Sequence, residues 1–133
     1  MDERRFPRSF DSLEPIFGMI ADFLRDEGLD GTVAFDLDLI AEELFTNMVK
    51  YGSGNEPVAI GLRREEDAVL LVLRDFDARP WDVTRPRALP DAPIAQRKAG
   101  GLGLHLVQRL ADGLEYHHDG RSGTITVRKR VAP

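Results

Sequence analysis

Cysteine is absent from the 133 residues, which excludes disulfides, thiolate metal sites and cysteine nucleophiles and is compatible with any redox compartment. Long apolar runs are missing as well. No window approaches the roughly 18 apolar residues that a membrane helix needs, and the charged start Asp2-Glu3-Arg4-Arg5 lacks the apolar segment of a secretory leader. A cytoplasmic protein without a membrane partner is therefore expected. Basic residues are in deficit, with 18 Lys and Arg against 23 Asp and Glu and a net charge of -5. Direct nucleic-acid binding, which relies on Lys and Arg accumulated against phosphates, is accordingly not expected. Histidine is scarce, with three in all. His117 and His118 are adjacent, and on a strand they point to opposite faces, so they make a poor zinc site.

What is present suits a soluble globular chain: 42% hydrophobic and 31% charged residues, in a length that forms one domain over residues 1–133 with a single core. Arg4 to Phe10 alternates loosely and reads as an edge strand, since Pro7 argues against a central position. Asp11-Ser12-Leu13-Glu14 resembles a helix start, with an N-cap side chain, an acid in the first turn and a tolerated Pro15. Leu13, Ile16, Phe17, Ile20 and Leu24 then mark a buried helical face that ends at Gly28 to Gly31. A second helix is expected from about Thr32 to Tyr51, with Val33, Leu37, Ile40, Leu44 and Met48 on one stripe and Gly52 as the stop.

Pro57 to Arg64 and Ala68 to Asp75 read as a hairpin around the acidic turn Glu65-Glu66-Asp67, and the run Val69 to Leu73 suggests a central strand. From Phe76 to Ala99 the pattern dissolves into prolines, arginines and aspartates, a loop of the length that lids have. Leu102, Leu104, Leu106, Val107 and Leu110 mark a third helix. Two closing strands, Leu114 to Asp119 and Thr124 to Arg130, flank the turn Gly120 to Gly123. This order gives an α+β two-layer sandwich, a mixed but mostly antiparallel sheet with about three helices on one face.

Two patches carry candidate chemistry. Glu43 and Asn47 lie four apart on the second helix and so share a face. An amide carbonyl suits Mg²⁺, which takes few protein oxygens and completes its shell with phosphate and water, while a carboxylate one turn away is a candidate general base. Gly100-Gly101-Leu102-Gly103 opens the third helix, where small residues let backbone N–H groups approach phosphate and the helix N-terminus favours an anion. Neither a Walker A lysine nor a strand before the glycines is present, so the two common phosphate loops do not apply. Spacing alone equally allows a solvated carboxylate, a tolerated amide and an ordinary glycine turn.

Glu43-Leu44-Phe45-Thr46-Asn47 resembles the N-box, and Gly100-Gly101-Leu102-Gly103-Leu104 the second glycine box, of the GHKL (Bergerat-fold) ATPases, which include gyrase and the catalytic domain of histidine kinases. Within that superfamily the chain resembles the small anti-sigma regulatory factors with serine/threonine protein kinase activity, and the likeness covers nearly its whole length. The resemblance implies ATP and Mg²⁺ as cofactors, Asn47 as metal ligand and Glu43 as catalytic base. It implies that Asp75 accepts a hydrogen bond from the adenine amino group and that Gly101, Leu102, Gly103 and Leu104 cradle phosphates. Arg97 or Lys98 then neutralises those phosphates from an ATP lid within residues 76–99.

As partners the resemblance implies a STAS-domain anti-anti-sigma protein whose serine is phosphorylated, a sigma factor, and a second copy of the chain in a homodimer. One position departs from the pattern: the first glycine box reads Asp75-Phe76-Asp77, with Asp77 where the family has glycine, though Pro80-Trp81-Asp82 keeps the tail of that box. Tyr51 replaces a histidine after the N-box. The alternative reading is a non-catalytic partner-binding module with weak or lost nucleotide binding. A stand-alone histidine-kinase catalytic domain is disfavoured, because no phosphoacceptor helix accompanies it.

Overall fold

Helical and strand periodicities sort the chain into regular segments within the residues that the computed structural model describes, 2–29, 31–51, 55–76 and 105–131. They are strand β1 (Asp2–Phe6), a short 3-10 turn (Phe10–Ser12), helices α1 (Leu13–Asp26) and α2 (Thr32–Tyr51), and strands β2 (Val58–Glu65), β3 (Ala68–Asp75), β4 (Gly113–His118) and β5 (Gly123–Arg130). Residues 105–110 are also helical. The strands form one sheet in the order β1-β2-β3-β5-β4. All four pairings among the described residues are antiparallel, so the expected α+β architecture is observed with no parallel pair in it.

Alternation along the strands sends every second side chain to the helices. Leu62, Leu71, Val127 and Leu114 stand side by side across four strands, as do Ile60, Leu73, Ile125 and Tyr116. These rows meet Ile16, Ile20 and Leu24 of α1 and Leu37, Ile40, Leu44 and Phe45 of α2 in a single cluster. Phe45, Ile60, Leu71 and Leu73 have no exposed surface. On α1 the buried face is Ile16, Met19, Ile20, Phe23 and Leu24. Phe17, expected inside, is only half-buried, because the buried stripe is centred toward Met19 and Phe23 and leaves Phe17 at its opposite margin.

Local chemistry shifts several boundaries. β1 starts before Arg4 and ends at Phe6, where Pro7 cannot donate to a ladder, but its place at the edge is as expected. The first cap is Ser9, whose hydroxyl accepts from Asp11 N at 3.2 Å. Ser12 precedes α1 without a capping bond and instead donates to the Pro7 carbonyl at 2.8 Å. α1 closes with Gly28 at φ 67 and Leu29 N donating to Leu24 O at 2.9 Å, the left-handed glycine termination. The β2–β3 turn has two residues rather than three, since Glu65 still pairs with Ala68. Glu66 therefore takes φ 53, an uncommon conformation for a residue with a β-carbon. Between β4 and β5, Asp119 accepts from Ser122 N at 2.7 Å and Arg121 N at 3.0 Å. Those backbone bonds, Ser122 first, hold its carboxyl below the usual range.

Phe6, Val58, Asp75, Gly123 and His118 are mutual register partners across all five strands. Each is the first or last residue of its strand, so this row forms one end of the sheet.

Candidate functional site

Four residues separate Glu43 from Asn47 on α2, and the helix places both on the same side. Their neighbours Leu44, Phe45 and Met48 are buried and hold this part of the helix against the sheet. Asn47 itself is only 6% exposed, and its side-chain Nδ2 has no hydrogen-bond partner among the described residues. A buried amide left unpaired costs on the order of 1–3 kcal/mol unless something fills the position. A half-turn of the amide about χ2 presents its carbonyl oxygen at the same place, so this residue fits a hard cation. Glu43 is half-buried, and its carboxyl is pushed above the usual glutamate range. Desolvation is the main cause, with the neighbouring Glu42 charge adding to it and Lys50 opposing. Asp38, also on α2, is shifted upward by desolvation and then by Glu42, and its Oδ1 is buried without a partner among the described residues.

Asp75 closes β3 with its side chain on the helix side of the sheet, the same parity as Leu71 and Leu73. It is 5% exposed, which a carboxylate accepts only with a cation or donors at hand. Arg8 supplies the cation, its Nη2 donating to Asp75 Oδ1 in an ion pair buried on both sides. The same guanidinium donates from Nε to the Glu56 carbonyl at 2.8 Å and from Nη1 to the Met48 carbonyl at 3.4 Å. Met48 follows Asn47, so one side chain links the end of β3 to the turn of α2 that carries the amide. Sequence reading named Asp75 and passed over Arg8. A carboxylate buried at the end of an apolar central strand calls for a cation, but nothing in the sequence singles out Arg8, which stands just past the edge strand β1 with β2 between it and β3.

The remaining expected site residues, Arg97, Lys98, Gly101, Leu102, Gly103 and Leu104, lie outside the described residues, as does most of the lid expected within 76–99. The helical residues 105–110 that follow the glycines are described. Val107 is buried in the core, and Lys129 of β5 donates to the Leu110 carbonyl at 2.7 Å. Lys129 also pairs with Asp36 of α2 at 3.1 Å. Phe76, the first residue past β3, lies under Arg5 at 4.6 Å and Arg74 at 5.9 Å from its ring centroid. It lines an open cavity of about 340 Å³ together with Glu56, Arg121 and Ser122. Among the described residues no group of three or more His, Asp or Glu side chains is placed to hold a metal alone.

The profile of the histidine kinase-like ATPase domain matches residues 6–129. The chain belongs to that family. The GHKL resemblance carried by the N-box and glycine-box residues is thereby borne out, and so is the fold it implied. No curated protein matches the chain by sequence.

Solved structures with this family fold include the RsbU and RsbW domains of Rv1364c from Mycobacterium tuberculosis, at TM-score 0.69 and 14% identity over 100% of this chain and 34% of that one. The chain thus spans about a third of that protein's solved length. The SiaB–SiaC complex of Pseudomonas aeruginosa matches with TM-score 0.59 and 21% identity over 99% of this chain and 89% of its counterpart. The histidine kinase AdeS of Acinetobacter baumannii matches with TM-score 0.52 and 16% identity over 100% and 69%. At these identities the likeness is one of fold. Among the described residues, no helix is long and apolar enough to cross a membrane.

Proposed function

We propose that this chain is an ATP-dependent protein serine kinase of the anti-sigma, partner-switching type, with a small STAS-domain protein as the phosphate acceptor. The observation that carries the proposal is the placing on one face of α2 of a buried Asn47, whose Nδ2 has no partner among the described residues, and a half-buried Glu43, inside a chain that belongs to the histidine kinase-like ATPase family. The fold shared with the RsbW-containing protein and with SiaB–SiaC supports the partner-switching part. The anti-sigma resemblance of the N-box and glycine-box residues further suggests a homodimer that holds a sigma factor when the STAS partner is phosphorylated.

In this reading Asn47 offers its carbonyl oxygen to Mg²⁺, which supplies neutralisation of phosphate charge when bound. Asp75 reads the adenine amino group of ATP, and Gly101 to Leu104 cradle the phosphates, whose charge Arg97 or Lys98 neutralises. The serine oxygen attacks the γ-phosphorus, the bond from that phosphorus to the bridging oxygen of ADP breaks, and the hydroxyl proton passes to Glu43. A carboxyl held above the ordinary glutamate range is a better proton acceptor near neutral pH than an unshifted one. Positioning and charge neutralisation supply most of the acceleration in such transfers.

Single-turnover transfer of labelled γ-phosphate to a purified STAS protein tests the proposal. Transfer should be seen with the wild type and drop by about 10²-fold or more in Glu43→Ala. Undiminished transfer in that variant removes Glu43 from the role. The observation favouring the second reading, a non-catalytic binding module, is Asp77 in the sequence where the family's first box has the glycine that admits close backbone approach to the base. Titration calorimetry with ATP and Mg²⁺ separates the two, since such a module shows no heat even at millimolar nucleotide.

A further inference from the structure

Arg8 belongs to no family box, yet it is among the most constrained charged side chains described. Its side chain is 9% exposed and that of Asp75 7%. A simple structural pairing needs one bond to neutralise Asp75. Here the planar guanidinium uses all three of its nitrogens, with Nε on Glu56 O, Nη1 on Met48 O and Nη2 on Asp75 Oδ1. Three acceptors in fixed directions around a rigid plane determine where the fork sits, and the fork in turn helps to fix where Oδ1 of the carboxylate sits. Two of the acceptors are main-chain carbonyls, one in the last turns of α2 and one in the segment entering β2. Through Met48 the carboxylate is therefore indexed to the turn that bears Asn47.

We propose that Arg8 is a positioning residue for base recognition: it sets the angle and depth at which Asp75 meets the exocyclic amine of a purine nucleotide. This rests on the proposed binding of ATP, and it adds a residue from the N-terminal segment to the site. Because Arg8 acts through Asp75, its removal changes binding of a base that donates to the carboxylate and leaves binding of a base without a donor at that place unaltered. A lysine reaches Asp75 as a point charge but lacks the planar fork that spans two carbonyls and a carboxylate.

The test is equilibrium binding of two probes, MgATP and the Mg²⁺ complex of purine riboside triphosphate, which is ATP without its 6-amino group. The proteins are the full-length wild type, Arg8→Lys, Arg8→Met, Asp75→Asn and the double variant Arg8→Lys/Asp75→Asn. Thermal melts of each accompany the titrations, and Arg8→Lys, which keeps the buried charge, serves where Arg8→Met does not fold. The expected result is a wild-type preference for ATP that falls by about tenfold in Arg8→Lys. The analogue should bind that variant within about twofold of wild type, and Arg8→Lys should have no further effect on the preference once Asp75 is Asn. Equal weakening of both probes, or an unchanged preference in both Arg8 variants, overturns the role of Arg8 and leaves the nucleotide reading intact. A wild type that binds neither probe overturns both.

Discussion

Lys129 is the side chain whose loss should be felt farthest from its own position. It lies in the strand register opposite Val69, and its ammonium reaches the Leu110 carbonyl at 2.7 Å and Asp36 Oδ2 at 3.1 Å. One group thereby fastens the C-terminal end of the 105–110 helix and the N-terminal half of α2 to the sheet. The hydrogen bond from a charged donor to a carbonyl is worth about 1.5–3 kcal/mol when partly buried. The ion pair, with Lys129 17% and Asp36 29% exposed, adds at most about 1 kcal/mol after solvent screening. Lys129→Met keeps the methylene stem and removes the ammonium, so the expected loss is about 2 kcal/mol. For a domain of this size that corresponds to roughly 6–10 °C in Tm. Asp36→Asn should cost about 0.5 kcal/mol, and the two changes together should cost less than their sum, because each removes the same pair. Urea unfolding of the four proteins at about 25 °C, followed by far-UV circular dichroism with midpoint and slope fitted separately, measures all three quantities. A Lys129→Met loss below about 0.5 kcal/mol, or strict additivity with Asp36→Asn, refutes the reasoning.

Glu66 sits at φ 53 in the β2–β3 turn, so Glu66→Gly should stabilise the protein by about 0.5–1 kcal/mol, read as a higher Tm; a lower Tm shows that the side chain contributes more than its backbone conformation costs. Leu71 is fully buried in the central strand, and Leu71→Ala should lower unfolding free energy by about 2–5 kcal/mol in denaturant titration. Asp38 and Glu43 both have folded-state pKa values raised above their ordinary 3.8 and 4.5 by desolvation. Their contribution to stability is therefore full below those ordinary values and is lost as pH rises through the folded ones. Asp38→Asn should accordingly raise Tm near neutral pH while changing it little at about pH 3, and a variant equally shifted at both pH values contradicts this. The acid limb of the phosphoryl-transfer rate should likewise lie above that of an ordinary glutamate and disappear in Glu43→Gln, as pH-dependent single-turnover rates would reveal.

The bounds of α2 were legible because Val33, Leu37, Ile40, Leu44 and Met48 repeat at helical spacing between breakers, and the β2–β3 hairpin was legible because a run such as Val69 to Leu73 suits a central strand. Boundaries set by side-chain-to-backbone bonding were not. Whether Ser9 or Ser12 caps depends on which carbonyl lies within reach, and Ser12 turns back to Pro7 only because β1 has delivered Pro7 there. The turn at Glu66 is one residue shorter than its composition suggests, since its length is fixed by pairing of Glu65 with Ala68 across the sheet. On the site side, Glu43 and Asn47 could be named because four residues on a helix define a face. Arg8 could not, because its partners lie 40, 48 and 67 residues away and a lone arginine after a proline gives no periodic signal.

The row Phe6, Val58, Asp75, Gly123, His118 has an evolutionary corollary. Each of the strand connections on that side begins or ends at this row, while the apolar rows lie deeper along the strands. Insertions and exchanges in those connections can therefore be absorbed without disturbing the interior, which suits a scaffold shared by solved structures at under a quarter identity to this chain.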